Sequence, residues 1–362
     1  MLSSGQLIFT GISDKVLTSV EKKFIEEQNI GGVILFTKNY ESPAQLAELV
    51  NSIQQLRQNF PLFIATDHEG GRVIRFKKHF TQFPPMQDIA MLDSPKICFE
   101  VHQIMAQELA ACGINVNLTP CCDVLTNPAN KAIGDRAFSD RPDVVEKFVS
   151  SAIRGLQTNN ILACAKHFPG HGSATKDTHT NSVIVKTSLE ELKKVEFVPF
   201  VKAIKSRVEF VMVSHLTVDA IDEKNPATLS ETMYKIIRNE MRFKNIIVTD
   251  DMQMAAITDK FSVGDAAVMA INAGTDMLIY RDMAQAEIAL NAINEAIKIK
   301  KIKNSTITDK LDRISKRKEE YLKEYRPIYI PEIESKINSK PAQIFLKEIT
   351  SKIEEQKTRP IT

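Results

Sequence analysis

Short apolar, β-branched runs recur along the chain, at Leu7–Phe9, Gly32–Phe36, Leu62–Ala65, Ile114–Leu118, Ile161–Ala165, Phe210–Val213, Ile246–Val248 and Met277–Tyr280. The pattern predicts eight strands. Most are separated by segments whose apolar residues fall at helical spacing, among them Pro43–Leu56, Ile97–Cys112, Val144–Thr158, Leu189–Ser206 and Met283–Ile297. Strands alternating with helices in this way imply an α/β protein with a (β/α)8 barrel. An open doubly wound sheet is the rival arrangement, but it calls for a Gly-rich phosphate turn after an early strand, and no GxGxxG is present. Beyond the eighth strand, Asp309–Tyr325 reads as a charged amphipathic helix that closes the barrel wall. From Arg326 onward Pro327, Pro331, Pro341 and Pro360 stand among many charges. This predicts a barrel over residues 1–326 and a peripheral extension over 327–362, with a helix near Ala342–Glu355 and a disordered end.

Charge adds an exclusion. The 47 basic and 45 acidic side chains nearly balance, which gives no reason to expect nucleic acid as a partner. The first residues lack a basic region followed by an apolar run, and no stretch of apolar residues is long enough to cross a bilayer. Five cysteines, an odd number in a long chain, suit reduced thiols better than a disulfide framework. The adjacent pair Cys121-Cys122 lacks the spacing of a zinc site. These features lead us to expect a cytoplasmic enzyme, monomeric and without a membrane partner.

The candidate chemistry gathers where strands end. The third strand runs into Thr66-Asp67-His68-Glu69-Gly70-Gly71-Arg72 and the fourth into Thr119-Pro120-Cys121-Cys122-Asp123. The fifth meets Lys166-His167, the sixth Ser214-His215 and the seventh Thr249-Asp250-Asp251. In a barrel all of these converge on the C-terminal face, where active sites lie. The densest stretch, residues 166–179, holds three histidines, two lysines and an aspartate around Pro-Gly and Gly-Ser breakers. Asp250 is expected to face the pocket, and Asp251 to cap the following turn or support its neighbour. In Asp177-Thr178-His179 the carboxylate can fix the imidazole tautomer and raise its basicity, which suits acid–base work near neutral pH. His167, His171 and His179 with Asp177 also raise metal binding, but their spacing lies in a Pro/Gly loop and Lys166 and Lys176 oppose a cation, so no metal is expected. Asp67, Arg72, Arg75, Arg136, Lys166 and His167 form a set suited to sugar hydroxyls. The plainer alternatives are that Arg136 only pairs Asp135 or Asp140 and Arg72 only pairs Glu69. His215 divides between pocket wall and core, whereas Met252 and Met254 read as packing.

These residues resemble a known family. KHFPGHGSATKDTH (166–179), GGVILFTKNYES (31–42), ATDHEGGRVIRF (65–76), IGDRAFSDRPDVV (133–145), NPATLS (225–230) and IVTDDMQM (247–254) are similar, in this order, to the motifs of glycoside hydrolase family 3, in its single-domain bacterial β-N-acetylhexosaminidase branch. The resemblance implies a barrel without a second sandwich domain and retaining hydrolysis of N-acetylglucosaminides without a cofactor. By matching position, Asp250 is the nucleophile, His179 the acid/base and Asp177 its orienting partner. Asp67, Arg75, Arg136, Lys166 and His167 match sugar-binding positions. The implied substrates are N-acetylglucosamine-containing muropeptides of peptidoglycan recycling. A phosphorylase on the same scaffold and a non-catalytic sugar-binding barrel are the alternatives. His68 departs from the glutamine common in this branch and is expected to alter the pocket rim, and Cys121-Cys122 replace a more aliphatic run.

Overall fold

The computed structural model describes residues 3–174, 183–322 and 324–358. Eight parallel strands close a barrel in chain order: β1 (Ile8–Gly11), β2 (Gly32–Leu35), β3 (Phe63–Thr66), β4 (Val116–Asn117), β5 (Leu162–Phe168), β6 (Phe210–Val213), β7 (Ile246–Asp251) and β8 (Met277–Tyr280). β8 returns to β1 with Phe9 opposite Ile279. Every predicted strand is one of these eight. Their apolar runs are continuous because parallel strands under a helical wall are buried on both faces, and all four residues of β1, β2, β3, β6 and β8 are buried.

The wall consists of α1 (Ser19–Glu27), α2 (Pro43–Gln55), α3 (Pro95–Ala111), α4 (Pro142–Gln157), α5 (Phe197–Lys205), α6 (Val263–Ala273), α7 (Met283–Lys298) and α8 (Asn304–Tyr321). Local chemistry sets their starts. Thr18 and Glu21 form a reciprocal capping box on α1, and Ser42-Pro43 and Ser94-Pro95 place a capping hydroxyl before a proline at the first turn of α2 and α3. Two helices differ from expectation. The segment predicted as Leu189–Ser206 is split into Leu189–Lys194 and α5, with Val195 leaving helical geometry between them. Glu196, at this break, is buried against Gly170, whose φ of +122° and lack of a side chain make room for it. α8 begins at Asn304 rather than Asp309 and ends at Tyr321.

The N-terminal end of the barrel is plugged by Phe9, Phe63 and Phe210, with ring centroids 5.3–6.4 Å apart. Gly32 is required here, because a Cβ at this position would stand 2.3 Å from the Phe9 ring. Below them the fully buried Lys318 of α8 donates to Gln6 Oε1 at 2.8 Å and to the Gly31 carbonyl at 2.7 Å, with Nζ 4.9 Å from the Phe63 ring centre. Burial pushes its pKa down to about 7 from 10.5. The folded protein therefore holds Lys318 neutral over a range in which the unfolded chain protonates it, and stability from this group rises with pH between 7 and 10.5. The wild type's advantage in thermal midpoint over Lys318→Met is expected to widen between pH 7 and 9. Melting curves of both proteins at the two pH values check this, and a constant difference would contradict it.

Two-stranded ribbons decorate the C-terminal face, one pairing His68–Gly70 with Val73–Ile74 directly after β3. After α8 the chain runs along the outside of the wall. Asn51 of α2 bonds the backbone of Ile328 in both directions, at 2.8 and 3.1 Å. Ile333 and Ile337 are buried, and α9 (Lys340–Thr358) buries its own Ala342, Ile349 and Ile353. This helix extends the predicted Ala342–Glu355 at both ends.

Candidate active site

The strand ends enclose a cavity of about 690 Å³ at the C-terminal face of the barrel. It is lined by Asp67, Glu69, Arg72, Arg75, Arg136, Lys166, His167, Asp250, Asp251 and Arg281, with apolar walls from Ile34, Phe36, Leu118, Met212 and Ile279. Six of the predicted site residues thus meet in one place: Asp250 and the whole sugar-binding set of Asp67, Arg75, Arg136, Lys166 and His167. Asp177 and His179 lie outside the described residues.

The floor is one ion network. Lys166, 2% exposed in its side chain, reaches Asp67 Oδ1 at 2.8 Å and Glu69 Oε1 at 2.6 Å. Arg75 holds the other Asp67 oxygen at 2.8 Å. Arg136 grips Glu69 in a fork, with Nε and Nη2 each 2.8 Å from a carboxylate oxygen. Burial alone would raise the carboxyl pKa values, but the cations outweigh it. Lys166 and Arg75 hold Asp67 well below the usual carboxylate range, and Arg136 and Lys166 lower Glu69 to about 2. Burial would likewise favour the neutral Lys166 amine, yet Asp67 and Glu69 raise its pKa above the ordinary value. All of these groups stay charged near neutral pH. They form a set of fixed, desolvated donors and acceptors of the kind that suits a polyol.

A second network aims His167. Its Nδ1 lies 2.7 Å from Asp123 Oδ2, and Arg136 Nη2 stands 3.2 Å from its Nε2. Because the guanidinium can only donate, this arrangement suits a His167 that carries its proton on Nδ1. Asp123 also accepts the backbone N–H of His171 at 2.6 Å and the Cys121 thiol at 3.1 Å. Burial would raise the Asp123 pKa, but His167 and the bond from His171 lower it to about 2. Burial and the Asp123 charge push the Cys121 thiol well above its ordinary range, so it stays a donor. Among the described residues Cys121, Asp123 and His167 are the group with potential metal-ligand atoms close enough to share an ion. Their polar atoms are already engaged, with one another, with the His171 N–H and with Arg136, whose charge opposes a cation.

Asp250 and Asp251 end β7, and both line the cavity. Asp251 does not cap a helix. One of its carboxylate oxygens accepts the Gln253 N–H at 3.1 Å, and the other lies 3.4 Å from Arg281 Nη1. Beneath them His215 is buried, with Nδ1 at 2.6 Å from Thr228 Oγ1 and Nε2 at 2.9 Å from the Asp251 carbonyl. It is a core histidine that supports the β7 turn. Burial raises the Asp251 pKa to about 6, and the neighbouring Asp250 adds to this against the opposing pull of Gln253 and Arg281. A carboxyl raised from 3.8 contributes its full stability below the unfolded pKa and loses it as pH rises through 6. Asp251→Asn is expected to exceed the wild type in thermal midpoint by a few degrees near pH 8 and by a smaller margin near pH 4.5. Melting curves at both pH values check this, and a variant less stable at pH 8 would contradict it.

The plainer alternatives for the two arginines do not hold, and His68 differs from its expected place. Glu69 does not pair Arg72 but is the centre of the floor, joined to Arg136 and Lys166. Arg72 instead pairs Asp135 at 3.0 Å and donates to the carbonyls of Lys131, Ala132 and Ile133, which ties down the loop that carries Arg136. The partners were exchanged because both arginines lie near several acids in sequence, and only the fold of the ribbon after β3 selects among them. His68 does not reach the pocket rim. It is 1% exposed, packed on Phe76 and Phe80, and burial with the nearby Arg75 lowers its pKa to about 3. The side chain next to Asp67 on a ribbon must point to the opposite face, and this alternation was the available signal.

Known proteins share this fold. The model for the glycosyl hydrolase family 3 N terminal domain matches residues 4–316. The chain is 37% identical over 289 residues to a β-hexosaminidase of Nitrosomonas eutropha, covering 78% of this chain and 82% of that protein. It is 31% identical over 293 residues to a β-hexosaminidase of Xylella fastidiosa, covering 79% of this chain and 87% of that protein. Among solved structures, a glycoside hydrolase family 3 β-N-acetylglucosaminidase from Paenibacillus sp. superposes with a TM-score of 0.90 at 31% identity, over 96% of this chain and 67% of that one. A (β/α)8 barrel whose strand ends carry this charged cavity, matched by that family over most of its length, belongs to glycoside hydrolase family 3, and the protein is a glycoside hydrolase.

Proposed function

We propose that this glycoside hydrolase is a retaining exo-β-N-acetylglucosaminidase that removes terminal β-linked N-acetylglucosamine from peptidoglycan fragments in the cytoplasm. The observation that carries the reading is the placement of Asp250 in the same cavity as the Asp67–Lys166–Arg75 and Glu69–Arg136–His167 networks. Hydroxyl groups of the terminal sugar bind the fixed charges, and the sugar's anomeric carbon is presented to the Asp250 carboxylate. Asp250 attacks this carbon as the bond to the leaving oxygen breaks, and His179, oriented by Asp177, gives that oxygen its proton. His179 then takes a proton from water, which displaces Asp250 and releases the sugar with its configuration retained. The names of the Nitrosomonas and Paenibacillus relatives support the sugar, and the motif resemblance supports the roles of His179 and Asp177 and the muropeptide substrate.

Hydrolysis of paired N-acetylglucosaminyl and glucosyl β-glycosides, with and without phosphate, tests this. Free N-acetylglucosamine as the product, from N-acetylglucosaminides alone, is the expected outcome. The second reading is phosphorolysis, favoured by a histidine acid/base that does not repel an incoming phosphate. Formation of the sugar 1-phosphate in phosphate buffer would establish it in place of hydrolysis.

A further inference from the structure

The chain beyond Tyr325 is attached to the back of the substrate-binding turn through a buried joint. Glu108 of α3 is 2% exposed, and its two oxygens accept three bonds. These come from the Thr81 N–H at 2.9 Å, the Thr81 hydroxyl at 2.5 Å and the Asn338 N–H at 2.8 Å. One carboxylate thus ties together a wall helix, the loop that follows Arg75, and the extension. The loop leads straight to the site. The ring of Phe83 packs edge-on against Phe345 of α9, with centroids 6.4 Å apart, and the Phe83 carbonyl accepts the Gly71 N–H at 2.9 Å. Gly70 and Gly71 have positive φ and lie so close to Pro84, Pro85 and Met86 that a Cβ on either would stand 2.8–2.9 Å from them. Lys357, near the end of α9, pairs Asp88 on the short helix Met86–Met91 at 2.8 Å. Gly70-Gly71 in turn connects Glu69 to Arg75, the floor of the cavity.

We propose that the segment 330–358 is a strut for the substrate-binding turn Asp67–Arg75, and that Glu108 is the positioning residue at which strut, loop and wall are joined. Held from behind, the turn keeps the Asp67 and Glu69 carboxylates at their distances from Lys166, Arg75 and Arg136. Loosening the joint frees the turn without touching Asp250. The deficit then falls on sugar binding and not on the chemical step. In kinetic terms this rests on the N-acetylglucosaminidase reading.

The test uses the full chain with Glu108→Gln, which puts an amide NH2 where one of the three donors must be accepted, and Phe345→Ala, a milder change on the strut itself. Each variant is assayed for kcat and KM on a chromogenic N-acetylglucosaminide, and amide hydrogen exchange is followed in peptides covering residues 66–76 and, for reference, β7 and β8. The proposal predicts KM raised about five- to tenfold with kcat changed less than about twofold, and faster exchange in 66–76 but not in the reference strands. Unchanged exchange in 66–76, or a lower melting temperature with KM unaltered, would overturn it. If Glu108→Gln does not fold, Phe345→Ala alone decides. Should the wild type fail to turn over any N-acetylglucosaminide, the functional reading falls, whereas the exchange measurement still decides whether the strut exists.

Discussion

Asp250→Ala is expected to lower kcat/KM for a chromogenic β-N-acetylglucosaminide by about four orders of magnitude, with little effect on the melting temperature. The reason is chemical and not structural. Asp250 ends β7 half-buried at the cavity wall, its Oδ1 accepting the Asp251 N–H at 2.8 Å. Its removal also relieves the repulsion that helps raise the Asp251 pKa. On the proposed mechanism, what disappears is the group that attacks the anomeric carbon. Azide fits the space that the carboxylate vacates, and as a small external nucleophile it is expected to restore release of the chromophore from the variant and to give the α-glycosyl azide. Near-normal turnover without azide would remove Asp250 from the reaction.

The largest stability effect is expected at Glu69. This carboxylate is 2% exposed and is the shared partner of Lys166 and the Arg136 fork. In Glu69→Ala two buried cations lose a counter-charge at once, and breaking such a pair from one side costs about 3–5 kcal/mol. Lys166 keeps Asp67, so its loss is partial, whereas among the described residues Arg136 keeps the Ala132 carbonyl, the contact with His167 and the more distant charge of Asp123. Denaturant unfolding of both proteins measures the difference. A change below about 1 kcal/mol would show that solvent replaces Glu69 freely, as in an exposed pair. Activity should fall as well, because Arg136 also lies against Nε2 of His167. Acid acts on the same network. Asp67 and Glu69 have pKa values lowered by folding, so their contribution is present above the usual carboxylate range and is lost as pH falls toward 2.

The barrel was legible because its strands are buried on both faces and therefore read as unbroken apolar runs, from Leu7–Phe9 to Met277–Tyr280. The location of the site followed from the same fact, since polar residues after such runs can only emerge at the barrel mouth. The partners within the site were harder to read. Glu69 was visible only as a neighbour of Arg72, and nothing in local sequence shows that a ribbon turns it toward Lys166, which stands ninety-seven positions away. Asp123 looked like one more polar residue after a strand, and its role of orienting His167 depends on β4 and β5 lying side by side. The break at Val195 was hidden because both halves of Leu189–Ser206 have helical spacing, and only the packing of Glu196 on Gly170 requires it.

Trapping the covalent intermediate is the most direct test. An N-acetylglucosaminyl fluoride carrying a second fluorine at the ring carbon C5 slows both steps, while its good leaving group favours the first, so a glycosyl-enzyme accumulates. Intact-mass analysis is predicted to show one added glycosyl unit, and peptide mapping to place it on Asp250. An adduct on Asp251 or Glu69, or steady turnover with no adduct at all, would contradict the mechanism.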